Sequence, residues 1–308
     1  MTVRLTVRTA IWRSHVAQVA NNTAGLIPVV KGNGYGLGRK HLAELAAEFC
    51  DTIAVGTVHE LPDLPHGLTP IVLTPTLDRP ESTAPILTVG NEQHIAALDG
   101  WQGRVTVKLT SAMNRYGRGP GLISTARLAG LEVVSASIHP PLSGTTNDHR
   151  AEILEIIEDL SGADQDLPIW VSHLDAHAYA TLPPTRPYRL RLGTALWHGD
   201  KAALHLTADV LDVRDVSAGT SAGYRLTPIK TDGHLVMIGA GTSQGVSTLP
   251  DGRSPFHFER TRMALLEVPH MHTSMAFVPS GQPLPAIGDR VDLQRPLHMT
   301  TVDEYEWL

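Results

Sequence analysis

The feature that most limits the possible folds is a series of short apolar, β-branched segments in the N-terminal part of the 308-residue chain. Each is long enough for one buried strand, and helical patterns lie between several of them. The predicted strands are residues 25–30, 52–56, 70–74, 85–89, 104–109, 131–138, 168–172 and 188–192. The clearest helical patterns are residues 38–49, 91–99 and 147–160, with Asn91 and Asn147 as predicted N-caps.

Eight strands that alternate with connecting segments are typical of an α/β protein built as a (β/α)₈ barrel. The alternative is a doubly wound open sheet, which has fewer strands and usually carries a Gly-rich phosphate loop after the first one. The segment GNGYG at residues 32–36 follows the first predicted strand but lacks the GxGxxG spacing of that loop. Periodicity alone leaves both folds open.

The pattern changes after about residue 205. Segments such as LHLTADVLDVRDV and GHLVMIGA alternate in the manner of strands, and turn residues separate them. We therefore predict a barrel domain over residues 13–205 and an all-β domain over residues 206–308. Residues 1–12 alternate in the same way and are predicted to add a strand to the β domain.

Charge and composition exclude several classes of protein. The net charge is −6 and no cluster of Lys and Arg stands out, which argues against a nucleic-acid partner. The single cysteine, Cys50, cannot form a disulfide within the chain. No apolar run reaches the roughly 18 residues that span a bilayer, and no signal core is visible, so we expect a cytoplasmic protein without a membrane partner. The histidine spacings predict no metal site.

The segment VVKGNGYGLG, residues 29–38, carries the first chemically informative group. Lys31 follows a predicted barrel strand, and the carboxyl ends of such strands form the catalytic face. Burial beside an apolar strand would disfavour the charge of this lysine, and a neutral amine can form a Schiff base with an aldehyde cofactor. Tyr35 could hydrogen-bond a phosphate. A lysine exposed at the surface is the alternative interpretation.

The same segment resembles the cofactor-lysine motif of the alanine racemase family, usually written VVKANAYGHG, with Gly32 and Gly34 in place of two alanines. These are fold-type III enzymes that use pyridoxal 5′-phosphate (PLP). The resemblance implies that Lys31 holds PLP and serves as one catalytic base, and that Tyr35 binds the phosphate.

Residues 107–119, VKLTSAMNRYGRG, resemble the family segment LKVDTGMNRLG. The resemblance implies that Arg115 contacts the phenolic oxygen of the cofactor and the substrate carboxylate. It implies that Lys108 positions this arginine, often in a carbamylated form. The family's Asp-Thr-Gly is replaced here by Thr110, Ser111 and Ala112.

Two histidines come from looser likenesses. Residues 134–144 resemble the strand that ends in the family's His-Phe pair, which would place His139 beside the pyridine ring. Residues 172–182 resemble the segment HAANSAATL, in which a serine binds phosphate. That serine falls near His177, so His177 is carried over as a weak cofactor contact.

Residues 190–199, LRLGTALWHG, resemble the family segment VRPGIALYG. The resemblance implies that Arg191 faces the pyridine nitrogen and that Gly193 and Thr194 offer backbone N–H groups to the phosphate. A charged arginine there would keep the ring nitrogen unprotonated, because two positive charges repel each other. The cofactor would then be a weaker electron sink, which favours proton transfer at Cα over reactions that need a long-lived quinonoid.

The β domain departs from the family at one position. Racemisation needs a proton donor on each face of Cα, and the family's second donor is a tyrosine supplied by the partner subunit. Ala240 occupies that position here. Thr242 and Ser243 follow in the same turn but are poor acids. His270 and His272 are predicted to share one face of a strand, and His272 is the candidate replacement.

The resemblance therefore predicts a PLP-dependent isomerase, a racemase-like enzyme acting at Cα of a small amino-acid substrate, and a homodimer. Two alternatives remain open. One is a PLP-binding protein without racemase turnover, with a regulatory or cofactor-handling role. The other is a one-base PLP enzyme such as a lyase, a decarboxylase or a transaminase. Arg191 argues against those that depend on a quinonoid.

Overall fold

The computed structural model describes residues 2–160 and 164–308. This part of the chain divides into two compact units. One comprises residues up to 15 together with Asp200–Leu308, and the other is Val16–Gly199. In chain order the first strands are β1 Val3–Val7, β2 Leu26–Pro28, β3 Thr52–Val55, β4 Thr69–Val72, β5 Ile86–Val89, β6 Arg104–Lys108, β7 Glu132–Ser137, β8 Ile169–Val171 and β9 Tyr188–Leu192.

The unit Val16–Gly199 is built on eight parallel strands, β2 to β9. The hydrogen-bonded order is β2-β9-β8-β7-β6-β5-β4-β3. Just beyond β2, Val29 forms a parallel bridge with Ala54 of β3, and the Val30 N–H donates to the Ala54 carbonyl at 2.8 Å. This bridge joins the two ends of the sheet, so the predicted (β/α)₈ barrel is confirmed over the open sheet.

Apolar residues fill the barrel strands because parallel strands are covered on both faces. Every residue of β3 and of β5 is buried, which matches the continuous apolar runs in the sequence. The helices are α1 Thr9–Asn22, α2 Arg39–Ala46, α3 Glu92–Ala96, α4 Gly121–Leu128, α5 Thr146–Glu158, α6 Ala176–Ala180 and α7 Thr194–Trp197. Short 3₁₀ turns span Gly34–Gly36, Val58–Asp63, Lys201–Ala203, Thr242–Gln244 and Leu297–Met299.

The unit that contains Asp200–Leu308 is a β structure whose strand pairs are antiparallel, apart from the parallel pair of β1 with Glu304–Trp307. Its main sheet has nine strands, and β1 pairs antiparallel with β10. The remaining strands are β10 Leu204–Val216, β11 Ser221–Ala222, β12 Thr227–Pro228, β13 Gly233–Ile238, β14 Phe256–Phe258, β15 Thr261–Arg262, β16 Ala264–Leu265, β17 Ser274–Pro279, β18 Arg290–Leu293 and β19 Glu304–Trp307.

The N-terminal strand is shorter than the sequence predicts. Strand β1 ends at Val7, and Thr9 begins helix α1, whereas alternation predicted a strand through residue 12. Trp12 and Val16 are both buried and lie four residues apart, the spacing of one helix face. A strand would have placed Ile11 and Trp12 on opposite faces, a pattern that the sequence also allows.

The N-cap of α3 is Asn91, as predicted, and its side chain accepts from the His94 N–H at 2.9 Å. The predicted N-cap of α5, Asn147, is wrong. Thr145 caps that helix, because its hydroxyl accepts from the Asp148 N–H while the Asp148 carboxylate accepts from the Thr145 N–H. This reciprocal pair is a capping box, which leaves Asn147 inside the first turn.

Thr145→Ala is expected to lower the free energy of unfolding by about 1 kcal/mol, because the first turn loses a side-chain acceptor. Asn147→Ala, two residues away and exposed, is the matched control and should change stability by less than about 0.5 kcal/mol. Urea unfolding of both variants measures the difference. Equal losses would contradict the assignment of the cap.

Candidate active site

Four of the predicted site residues of the barrel unit lie at the carboxyl ends of its strands. Lys31 follows β2, Lys108 is the last residue of β6, His139 follows β7, and Arg191 is the fourth residue of β9. In a parallel barrel these ends face the same side, the one that carries active sites. Residues far apart in the sequence are therefore brought to one end of the barrel.

The loop that carries Lys31 is held by charged side chains. The Glu60 carboxylate accepts from the Gly32 N–H at 3.2 Å and from the Gly56 N–H at 2.6 Å. The Arg39 guanidinium donates to the Gly32 carbonyl and to Asp63. Backbone and side-chain bonds together fix the chain on both sides of Lys31.

Tyr35 lies against Gly193. Its backbone has φ 55°, in the left-handed region, and its side chain is buried. A Cβ atom built on Gly193 would overlap the Tyr35 hydroxyl. Burial raises the pKa of Tyr35 to about 12, so the phenol keeps its proton and can donate a hydrogen bond. Two residues predicted to bind phosphate are thus in contact, and Thr194 begins helix α7 beside them, exposed.

Gly193→Ala is expected to weaken binding of PLP, the cofactor that the family resemblance predicts, by about 10- to 100-fold, because the new methyl group displaces the Tyr35 hydroxyl. The φ of Gly193 is −119°, outside the left-handed region, so the effect is steric contact with Tyr35. Gly121→Ala is the matched control, since a Cβ there meets nothing within 4 Å. Titration with PLP, followed by absorbance, compares them. Equal affinities would remove Gly193 from the phosphate site.

Four cationic side chains act on one another at this end of the barrel. The pKa of Lys31 is lowered by burial of its amine, then by Arg115 and Arg191, although the residue as a whole is exposed. The pKa of Lys108 is lowered well below its ordinary value by burial and by the same two arginines. The carboxylates that oppose these shifts are Glu60 for Lys31 and Glu152 for Lys108.

Arg191 is a buried cation whose hydrogen bonding is incomplete. The side chain is buried, and burial followed by Arg115 lowers its pKa to about 10. Its Nη2 donates to the Ile138 carbonyl at 2.8 Å, but its buried Nε has no hydrogen-bond partner among the described residues. A buried, unpaired donor is costly, so a ligand acceptor is expected beside Nε.

His139 borders the same group and has a neighbour that the sequence analysis missed. Burial, Arg191 and Lys108 lower the pKa of His139 to about 2, so its imidazole is neutral. The ring of His173 lies 4.4 Å from that of His139, centroid to centroid, and the His173 backbone has φ 62°. His173 follows β8 by two residues, and this strand-end position was the signal that could have identified it.

The structure does not bring His177 to this group. It lies on helix α6 and is exposed. Across residues 2–160 and 164–308, no recorded hydrogen bond, ion pair or ring contact joins it to Lys31, Tyr35 or Arg191. Arg115 is also exposed. Unlike His177, it acts electrostatically on Lys31, Lys108 and Arg191. Its guanidinium lies 5.0 Å from the centroid of the Tyr116 ring.

In the β unit, the predicted strand around His270 and His272 is wrong. Strand β17 begins only at Ser274, and the preceding residues form a turn closed by the His270 N–H and the Thr273 carbonyl at 2.9 Å. The two histidines have different partners. His270 Nε2 lies 2.5 Å from a carboxylate oxygen of Glu267, and His272 Nδ1 lies 2.9 Å from the Ser243 hydroxyl.

Ala240 is completely buried, and its carbonyl accepts from the Ser274 hydroxyl at 2.7 Å.

Within the described residues, no group of three or more His, Cys, Asp or Glu side chains could hold a metal ion. In the same residues, no helix is both long and apolar enough to cross a bilayer.

The fold and the site define an α/β-barrel protein with a lysine after its first strand and a group of cationic side chains at the carboxyl ends of its strands. Residues 10–200 match the family model of the alanine racemase N-terminal domain. The chain therefore belongs to the alanine racemase family. No curated protein matches its sequence significantly.

Several solved structures share the fold. Alanine racemase of Clostridium difficile 630 has a TM-score of 0.76 and 18% identity over 100% of this chain and 96% of that one. The enzyme of Bartonella henselae, solved with covalently bound PLP, has a TM-score of 0.73 and 17% identity over 100% of both chains. The biosynthetic enzyme of Pseudomonas aeruginosa has a TM-score of 0.72 and 19% identity over 100% of this chain and 99% of that one. These identities establish a shared fold.

Proposed function

We propose that this protein is a PLP-dependent racemase that acts at Cα of a small amino acid. The observation that carries the proposal is the buried Arg191, whose Nε has no partner among the described residues. Arg191 and Arg115 both lower the pKa of Lys31 and of Lys108, and Arg115 lowers that of Arg191, so positive charge is concentrated here. A ligand with a ring acceptor and two anionic groups satisfies all of these needs.

The residues fit PLP. Arg191 would face its ring nitrogen, and Tyr35 with Gly193 and Thr194 would hold its phosphate. His139, kept neutral, would lie beside the ring without adding charge. When bound to an amino acid, PLP withdraws electrons from Cα and so makes its proton easier to remove.

Lys31 and Arg115 have different proposed roles: Lys31 transfers the Cα proton and Arg115 binds the substrate carboxylate. Burial and the two arginines lower the pKa of Lys31 and so favour its neutral amine, which can accept a proton from Cα and later return it. The Arg115 guanidinium is exposed and has room to bind the substrate carboxylate with two hydrogen bonds. Lys108 would position Arg115 through its own charge or as a carbamate.

The proton donor on the opposite face is proposed to be His272 of a second copy of the chain, in a homodimer. His272 is exposed. Val268 and Met271 are exposed apolar side chains of the same turn. Tyr224 and Leu226 are exposed apolar side chains of a second turn, which is joined to the first because the Tyr224 N–H donates to the Glu267 carboxylate. Such a patch is typical of a surface that another protein covers. Light scattering that gives the mass of one chain at working concentrations would exclude the dimer.

The test is incubation of the PLP-loaded protein with L-alanine, and then other small amino acids, in heavy water. Deuterium at Cα together with the D-enantiomer establishes a racemase. Deuterium with retained L configuration means a one-base enzyme that works from the Lys31 face. A protein that takes up no PLP would refute the proposal.

The second candidate function is PLP binding without racemase turnover. It is favoured by Ala240, which stands where the family has its tyrosine and is completely buried. A methyl group cannot transfer a proton. Bound PLP with no exchange for any amino acid of the panel would support this candidate.

A further inference from the structure

Two turns of the β unit are locked together around His272. The Thr242 N–H donates to the His270 carbonyl at 2.8 Å, and the Ser243 N–H donates to the Met271 carbonyl at 2.9 Å. A Cβ atom on Gly241 would overlap both of these carbonyl oxygens, so only glycine allows the approach. The backbone of His272 is therefore held in a fixed position, although its side chain is exposed.

The hydroxyl of Ser243 has one proton and three neighbours. Its oxygen lies 2.7 Å from the Met271 carbonyl, 2.9 Å from the Gln244 Oε1 and 2.9 Å from the His272 Nδ1. A carbonyl oxygen can only accept, and the short contact between the Ser243 and Met271 oxygens, 2.7 Å, needs a proton between them, so the hydroxyl proton is assigned to Met271. The Gln244 Oε1 is identified as an acceptor by the Gly241 N–H, which donates to it at 3.1 Å. The Ser243 oxygen is then left to accept from His272.

We propose that Ser243 is a positioning residue that holds neutral His272 with its proton on Nδ1, so that Nε2 is the atom that exchanges protons with Cα. The inference rests on the proposed function, in which His272 serves the face opposite Lys31. For the enantiomer whose hydrogen faces His272, Nε2 accepts the Cα proton and the imidazole becomes a cation. The electron pair left at Cα forms a new bond to a proton that the Lys31 ammonium gives up on the other face.

This assignment of the proton excludes Ser243 as a nucleophile activated by His272. A serine nucleophile must pass its proton to a histidine, whereas the Ser243 proton is directed to the Met271 carbonyl oxygen. The other titratable groups on the two turns are His270 and Glu267, which bond to each other. Burial would raise the pKa of Glu267, but the Tyr224 N–H, His270 and the Arg225 N–H hold it below its ordinary value. A carboxylate paired in this way does not compete for His272.

The first test needs no cofactor and no turnover. Nitrogen-15 NMR of the imidazoles distinguishes Nδ1–H from Nε2–H in neutral histidine. We expect the Nδ1–H form of His272 in the wild type and in Ser243→Thr, which keeps the hydroxyl. Ser243→Ala should shift the tautomer ratio toward Nε2–H by about 10-fold, the scale of one hydrogen bond. Thr242→Ala, in the same turn, is the matched control and should leave the ratio unchanged.

The second test follows exchange of the Cα hydrogen in heavy water, separately for each enantiomer, with the PLP-loaded protein. Ser243→Ala should slow exchange from one enantiomer by about 10-fold and leave the other nearly unchanged, because Lys31 still serves its own face. Ser243→Thr should restore the slowed exchange. His272→Gln should slow the same enantiomer, and more strongly.

The outcomes separate the two proposals. An Nε2–H tautomer in the wild type, or a ratio that Ser243→Ala leaves unchanged, overturns the role of Ser243 while the racemase proposal stands. If His272→Gln leaves exchange of both enantiomers unchanged, the proposed function is wrong in its second acid/base group, and the role of Ser243 is overturned with it.

Discussion

Lys31→Ala is expected to abolish covalent attachment of PLP and to reduce exchange at Cα by at least about 100- to 10,000-fold, the range that a positioned acid/base group contributes. The amine of Lys31 is the proposed attachment point, and its lowered pKa suits a nucleophile. Reduction with borohydride followed by peptide mass spectrometry should find PLP on the peptide that contains Lys31. Absorbance of the dialysed protein reports the same loss.

Lys40→Ala is the control for this variant. Lys40 lies on helix α2 and is exposed, so its replacement removes the same charge without touching the strand ends. We expect full PLP attachment and unchanged exchange. PLP attached to Lys40, or attachment that survives in Lys31→Ala, would contradict the assignment of the cofactor lysine.

Arg191→Met is expected to stabilise the cofactor-free protein while it weakens PLP binding. In the free protein the charged form is disfavoured, because burial and Arg115 lower the Arg191 pKa to about 10 and Nε lacks a partner among the described residues. At neutral pH arginine is charged in both the folded and the unfolded chain, so the unfavourable free energy of burying the charge reduces the stability of the folded state. Methionine, of similar length, should raise the free energy of unfolding by about 1–3 kcal/mol.

The same change removes the proposed donor to the ring nitrogen, and we expect PLP affinity to fall by about 10-fold or more. Urea unfolding without PLP and titration with PLP measure the two effects. The control is Arg189→Met, two residues earlier on β9. Arg189 donates to Thr52 at 3.1 Å and to two backbone carbonyls, so its loss should destabilise the protein. Destabilisation by both variants would mean that Arg191 is structural.

The sequence predicted the barrel well because its strands are buried on both faces. All eight predicted strands are present, with bounds within about three residues of those observed. The order of the strands and the bridge between Val29 and Ala54 depend on contacts between distant segments, which no local pattern records. Here the family resemblance decided between two folds that periodicity left open.

The features of the site that the sequence did not predict depend on turns and on contacts between distant segments. His270 and His272 alternate in sequence like strand residues, but Pro269 precedes them and the chain turns, so they do not share a face. His173, two residues beyond β8, is the histidine beside His139, and its strand-end position was a signal that the sequence analysis did not use. Hydrogen-bond partners such as Ser243 for His272 lie 29 residues apart and left no local signal.

The loop around Lys31 is ordered by the protein's own bonds, from Glu60 to the Gly32 and Gly56 amides and from Arg39 to the Gly32 carbonyl. Its backbone therefore loses conformational entropy when the chain folds, and little is left to lose when a ligand arrives. Most of the interaction energy of a ligand at Lys31 can then appear as affinity and as reaction rate, since little of it is consumed in ordering the loop. The association rate should likewise follow diffusion and charge attraction, without a slow rearrangement of this segment.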